Sequence, residues 1–114
     1  MHSEKIIYAA RIVWVNQVIA DDIAQSALQI LAKASEQNLR FFCGKSPKCI
    51  LGGLFYILGF RFNSKMTQRE IADLLCTTED SIRDSYKRWI IEFPQFFTDI
   101  TALKFQKLQP LIKN

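Results

Sequence analysis

Few residues in this chain are suited to covalent or metal chemistry. Its histidine is His2, near the amino end, and its cysteines are Cys43, Cys49 and Cys76. A Ser–His or Cys–His nucleophile pair needs an imidazole held beside the nucleophile, and His2 stands in a terminus expected to fray. A structural zinc site needs four clustered Cys or His ligands, and a disulfide framework usually has an even cysteine count. Neither pattern is present, so the three cysteines read as reduced, buried and hydrophobe-like. The glycines Gly44, Gly52, Gly53 and Gly59 spell neither a dinucleotide fingerprint nor a Walker-type loop. The acidic pairs Asp21–Asp22 and Glu79–Asp80 stand where helices should begin, which suits them to the helix dipole rather than to acid–base work. No metal or cofactor is expected, and the chain does not read as an enzyme.

What remains is the chemistry of charge. Fifteen Lys and Arg against 11 Asp and Glu leave +4, a balance that permits nucleic acid or an acidic surface as partner without demanding either. At 114 residues, 49% apolar and 23% charged, the chain has the composition of one globular domain with a modest core. Its longest apolar run, 49–60, is shorter than the roughly 20 residues a bilayer needs. The opening Met-His-Ser-Glu-Lys carries no signal-peptide pattern. The expected setting is therefore intracellular, with no membrane partner: cytoplasmic in a prokaryote, nuclear in a eukaryote.

The elements that must position any charged site are helical nearly throughout. Over 6–18, Ile7, Ala10, Trp14 and Val18 fall on one stripe. A second helix is expected from Asp22 as N-cap, with Gln25 closing a capping box and Ile23, Ala27, Ile30, Leu31 and Ala34 facing inward, ending near Asn38. Ser46 and Pro47 mark the start of a third helix. Its span 49–60 is apolar on every face, which places it at the centre of a bundle. Gly52 and Gly53 each weaken such a helix by about 1 kcal/mol relative to Ala, a loss that makes sense if other helices cross there. Thr67 and Glu70 form a capping box for a short helix with Ile71, Leu74 and Leu75 inward, Cys76-Thr77 makes a tight turn, and Thr78 caps a longer helix buried through Ile82, Tyr86, Trp89 and Ile90. Two helices joined so closely are either a helix-turn-helix or a structural helical hairpin. Phe93-Pro94 stops the last of them. The tail carries Phe97, Ile100, Leu103 and Leu108 opposite Lys104, Lys107 and Lys113, as a final helix or a partner-binding segment.

Gly44-Lys45-Ser46-Pro47, then Leu54-Phe55-Tyr56-Ile57, then Thr67-Gln68-Arg69-Glu70-Ile71-Ala72, then Ser81-Ile82-Arg83 with Tyr86-Lys87, occur in that order. Together they resemble the cyclin-like repeat of archaeal transcription factor B and eukaryotic general factor IIB, and most nearly the second, DNA-binding repeat. The resemblance covers 6–91. It implies an all-α, single five-helix cyclin-like domain over 1–93 with a central apolar helix, a helix-turn-helix at 67–91, and a C-terminal tail at 94–114. It also implies promoter-type duplex DNA, TATA-binding protein, RNA polymerase or another transcription protein as partners. The family normally has two repeats behind a zinc ribbon; here there is one repeat and no ribbon motif, so self-association would substitute for the second. Where the family tends to show Asn-Arg before Tyr-Lys, this chain has Asp84-Ser85, and 61–92 carries six basic and six acidic residues.

The candidate DNA contacts on the second helix are Ser81, Arg83, Ser85, Lys87 and Arg88, taken as surface positions. Lys65, Gln68 and Arg69, at the mouth of the preceding helix, are candidate backbone anchors. The resulting expectation is a stand-alone, factor-B-like DNA-binding or transcription-associated regulator. The alternative is a cyclin-fold adaptor that has lost DNA binding. In that reading some of Phe41, Phe42, Phe60, Phe62, Phe96 and Phe97 supply an exposed anchor patch, while Phe41 and Phe60 are better suited to capping the core.

Overall fold

The computed structural model describes residues 3–101, so His2 and the expected tail positions Leu103, Lys104, Lys107, Leu108 and Lys113 lie outside the described residues. The fold is all-α: α1 (Ser3–Val13), α2 (Gln17–Gln37), α3 (Pro47–Arg61), α4 (Gln68–Leu74), α5 (Glu79–Glu92) and a single turn, α6 (Thr98–Thr101). Short 3-10 turns occupy Leu39–Phe42 and Pro94–Phe96.

α3 is the centre, as its uninterrupted apolar run requires. It packs against α2, α4, α5 and α6. Leu54, Phe55, Ile57 and Leu58 have no exposed surface at all. The two glycines admit α5. A Cβ added to Gly53 would lie 2.7 Å from the Tyr86 backbone nitrogen and closer still to the Ser85 side chain, and one added to Gly52 would run into Ile82. The helix propensity lost at these positions is offset by the burial that so close a crossing allows.

The opening helices depart from expectation. α1 stops at Val13, and its core stripe is Ile6, Ala10, Val13 and the adjoining Trp14, while Val18 is 71% exposed. The cause is Asn16, whose side-chain oxygen accepts the backbone N–H groups of Val18 and Ile19 at 3.0 and 3.2 Å and so starts α2 at Gln17. Asp22 therefore lies inside α2 and is not its N-cap. Asp21 reaches back to Arg11 instead, at 2.9 and 3.1 Å, and this hydrogen-bonded pairing holds its carboxyl below the usual range. The expected inward stripe of α2 is buried throughout.

Both ends of the 62–67 connection are fixed by backbone geometry. Asn63 takes a left-handed φ of 54° after α3, and the Ser64 N–H returns to the Gly59 carbonyl at 2.8 Å, a Schellman closure. At its far end Thr67 and Glu70 form the capping box reciprocally. Trp14 seals this connection by donating its indole N–H to the Ser64 carbonyl at 2.8 Å.

Three further expectations are corrected. Leu74 is 40% exposed, and only Ile71 and Leu75 of the expected three face inward. Cys43 and Cys76 are exposed and only Cys49 is half-buried, because the first two sit in surface turns. The six aromatics form no freely exposed patch. Phe41 and Phe97 are buried, while Phe42, Phe60, Phe62 and Phe96 pack against the core. Trp89 gathers Phe41, Phe93 and Phe97 around it at centroid distances of 4.6, 5.5 and 6.4 Å, and its indole N–H donates to the Ile50 carbonyl. Beyond Pro94, Phe97 and Ile100 thus belong to the same core, and Arg61 ties that segment down through Asp99 and the Phe96 carbonyl.

Candidate nucleic-acid interface

Residues 75–78 join α4 to α5, and their geometry sets how the two helices meet. Cys76 stands in the left-handed region at φ 58°, and the Thr77 N–H reaches back to the Ala72 carbonyl at 2.9 Å, closing α4 with a second Schellman turn. Two residues later Thr78 caps α5, its hydroxyl oxygen accepting the Ser81 N–H at 3.2 Å. The chain thus leaves one helix and starts the next with almost no slack.

The predicted contacts separate into groups. Arg83 is on the surface but occupied: Asp80 meets its guanidinium at 2.7 Å and Glu79 at 3.5 Å. Ser81 is held by the Thr78 hydroxyl, which donates to it at 2.8 Å. Arg88 is half-buried, its guanidinium carbon over the Phe41 ring at 5.0 Å from the centroid. Lys65 stands 5.6 Å from the Phe60 ring, and Arg69 is exposed. Gln68 hydrogen-bonds the Tyr86 hydroxyl, whose pKa burial pushes up.

Ser85 is not a surface position. It is 9% exposed and packs against Gly53 at the α3–α5 crossing. Its small size is needed there, because a longer side chain would collide with α3.

Lys87 and Arg88 open onto a cleft of about 480 Å³ between the outer face of α5 and the start of α3. Lys45 and Ser46 form its opposite wall, Ser81 and Ser85 line it, and Asp84 is the one carboxylate among its lining residues. Three cations from two distant parts of the sequence therefore converge on one depression. The amino end of the 15-residue α3 adds its partial positive charge to theirs. Lys45 was missed as a contact by the sequence reading, although it stands just ahead of the predicted N-cap Ser46. Only the fold brings it opposite α5. Such a constellation suits a phosphate-bearing polymer that lies along α5. Among the described residues no cluster of three or more His, Cys, Asp or Glu is placed to hold a metal ion, and no helix is long and apolar enough to cross a membrane.

Comparison with known proteins gives a consistent family. The family model described as the transcription factor TFIIB repeat matches residues 15–91. Among curated proteins, the transcription initiation factor IIB of Methanothrix thermoacetophila is 35% identical over 66 residues, covering 58% of this chain and 19% of that protein. That of Haloarcula vallismortis is 33% identical over 72 residues, covering 63% and 61%. Transcription initiation factor IIB 1 of Thermococcus kodakarensis is 31% identical over 72 residues, covering 63% and 23%. The matched part thus spans about a fifth of the Methanothrix and Thermococcus proteins. No solved structure matches the chain.

Proposed function

This chain belongs to the transcription factor TFIIB repeat family, and from that premise we propose that it is a transcription-associated protein that binds promoter-type duplex DNA. In this reading α4 and α5 act as a helix-turn-helix, with α5 laid against the duplex. The observation that carries it is the convergence of Lys45, Lys87 and Arg88 on the cleft beside α5. Two of them flank the duplex backbone from α5 and the third holds it from the α3 side. Lys65 and Arg69 lie apart from this cleft, Lys65 beside Phe60 at the far end of α3, and are not counted among its contacts.

Phosphate contacts position and base contacts specify. The base-reading candidate is Arg83, whose planar fork suits the paired acceptors of a guanine edge. To read a base it must leave Asp80 and Glu79. Ser81 and Gln68 already have intramolecular partners, so they support the frame more than they read sequence. The TATA-binding protein and RNA polymerase are the proposed protein partners, as the resemblance to factor IIB implies.

Fluorescence anisotropy of a labelled promoter-type duplex tests the reading. Lys45→Ala and Lys87→Ala should each weaken binding by about three- to tenfold, as loss of one charged phosphate contact does. Undiminished binding by both variants would move the interface elsewhere.

A further inference from the structure

A second groove, of about 620 Å³, runs between α1, α2, the 3-10 turn at Leu39–Phe42 and the start of α3. Its floor is the buried Ile6, Leu31 and Ile50, and its walls are the half-buried Leu28 and Phe42. Leu39 forms the rim and is 67% exposed, a cost in apolar hydration that nothing within the described chain relieves. The polar groups at the groove are few and of one kind. Lys5 and Lys45 are its charged residues, Lys45 being shared with the cleft beside α5, no carboxylate lines it, and the Ser35 hydroxyl is already donated to the Leu31 carbonyl at 2.8 Å.

An occupant must therefore bring apolar side chains to the floor and anions to the rim. A duplex brings anions but keeps its apolar base faces stacked inside. A small amphiphile fits a site that closes around most of its surface, whereas this groove is open along the Leu39 side. The chain's own residues 102–114 contain Lys104, Lys107 and Lys113 and no Asp or Glu, the wrong sign for this rim. A helix with an apolar stripe and acidic flanks meets every requirement, because its i, i+3, i+4 and i+7 side chains seat in a trough while carboxylates at its edges reach the two lysines. We propose that this groove docks an acidic amphipathic helix of a partner protein.

The probe is a fluorescein-labelled synthetic peptide of about 15 residues, with leucines at those spacings and glutamates elsewhere, titrated with the full chain at low salt. Its control is the same peptide with lysine in place of glutamate. The acidic peptide should bind in the micromolar range and the basic one should not. Leu39→Glu and Lys5→Glu should each weaken binding by about fivefold or more, since one removes an apolar anchor and both add repulsion. Leu39 and Lys5 are exposed, so thermal melts of both variants should overlay the parent, and duplex affinity should be unchanged in Leu39→Glu. Equal binding of the two peptides, binding untouched by Leu39→Glu, or no binding of the acidic peptide would each overturn the proposal. A parent dimer that Leu39→Glu dissociates in sedimentation would overturn it too, by assigning the groove to a second copy of the chain.

Discussion

Arg83 is where the chemistry of single residues matters most. It projects from the first turns of α5 with 41% of its side chain exposed, and two carboxylates from its own helix hold it at 2.7 and 3.5 Å. Exposed pairs of this kind contribute only about 0.2–1 kcal/mol each, so the pairing biases Arg83 without locking it. In the proposed reading, nucleic acid competes with Asp80 and Glu79 for the same fork. Asp80→Asn should therefore raise duplex affinity by about two- to fivefold, measured by anisotropy titration at fixed salt. An unchanged affinity would mean that Arg83 lies outside the DNA interface. The identity of Arg83 as an exposed cation was legible from the period of α5. Its pairing with Glu79 and Asp80 was not read from the sequence, although they stand four and three positions before it, at the spacing that pairs side chains on a helix. Ser85 was misread because the same period places it on the border of the buried stripe. Only the crossing at Gly53 decides which side of that border it falls on.

At the scale of elements, the α3–α5 crossing and the α4–α5 turn set the geometry of the proposed interface. Gly53→Ala adds one methyl group where the Tyr86 backbone and the Ser85 side chain already stand. Its helix-propensity gain of about 1 kcal/mol is outweighed by overpacking against backbone, which costs about 1–3 kcal/mol and falls at the upper end here. Differential scanning calorimetry should show a lower melting temperature, by about 5 to 10 °C. Cys76 gives the opposite expectation. A non-glycine residue in the left-handed region costs about 1–2 kcal/mol, of which glycine would return part against its own chain entropy. Cys76→Gly should raise the melting temperature by a few degrees and leave duplex affinity intact. A fall would mean that the Cys76 side chain makes a contact worth more than the strain.

Elements whose signals are local were readable from the sequence. The caps at Thr67 and Thr78 and the all-round apolar character of α3 each depend on neighbours within one turn. The α1–α2 corner was not read correctly, because two polar residues competed for the start of α2. Asp22 with Gln25 imitates a capping box, yet burial of Ala20 and pairing of Asp21 with Arg11 favour the start at Asn16. The cleft had no local signal, since Lys45 and Lys87 meet only when α5 folds across α3.

The molecule as a whole is a bundle built around α3, and the segment after Pro94 shares its core. Phe97 is fully buried against Trp89, and Arg61 secures the same segment through Asp99. Phe97→Ala should cost about 3–5 kcal/mol, a large share of the roughly 5–15 kcal/mol that holds a domain of this size. Urea denaturation should show this as an earlier midpoint in a single transition. A separate early transition would mean that residues 94–100 come away by themselves.

The whole-molecule charge is modest, so the account rests on a few converging cations rather than a broad basic face. Salt dependence counts those cations directly. Each phosphate neutralised contributes about −0.9 to the slope of log K against log salt. Contacts from Lys45, Lys87 and Arg88 give a slope near −2.7, or a loss of about 40-fold between roughly 50 and 200 mM salt. The measurement is that slope for the parent chain and for Lys45→Ala, with a promoter-type duplex. A parent slope near −3 that falls by about one in the variant is the predicted result. A flat slope, or no binding at the lowest salt, would contradict the claim that this cleft holds DNA.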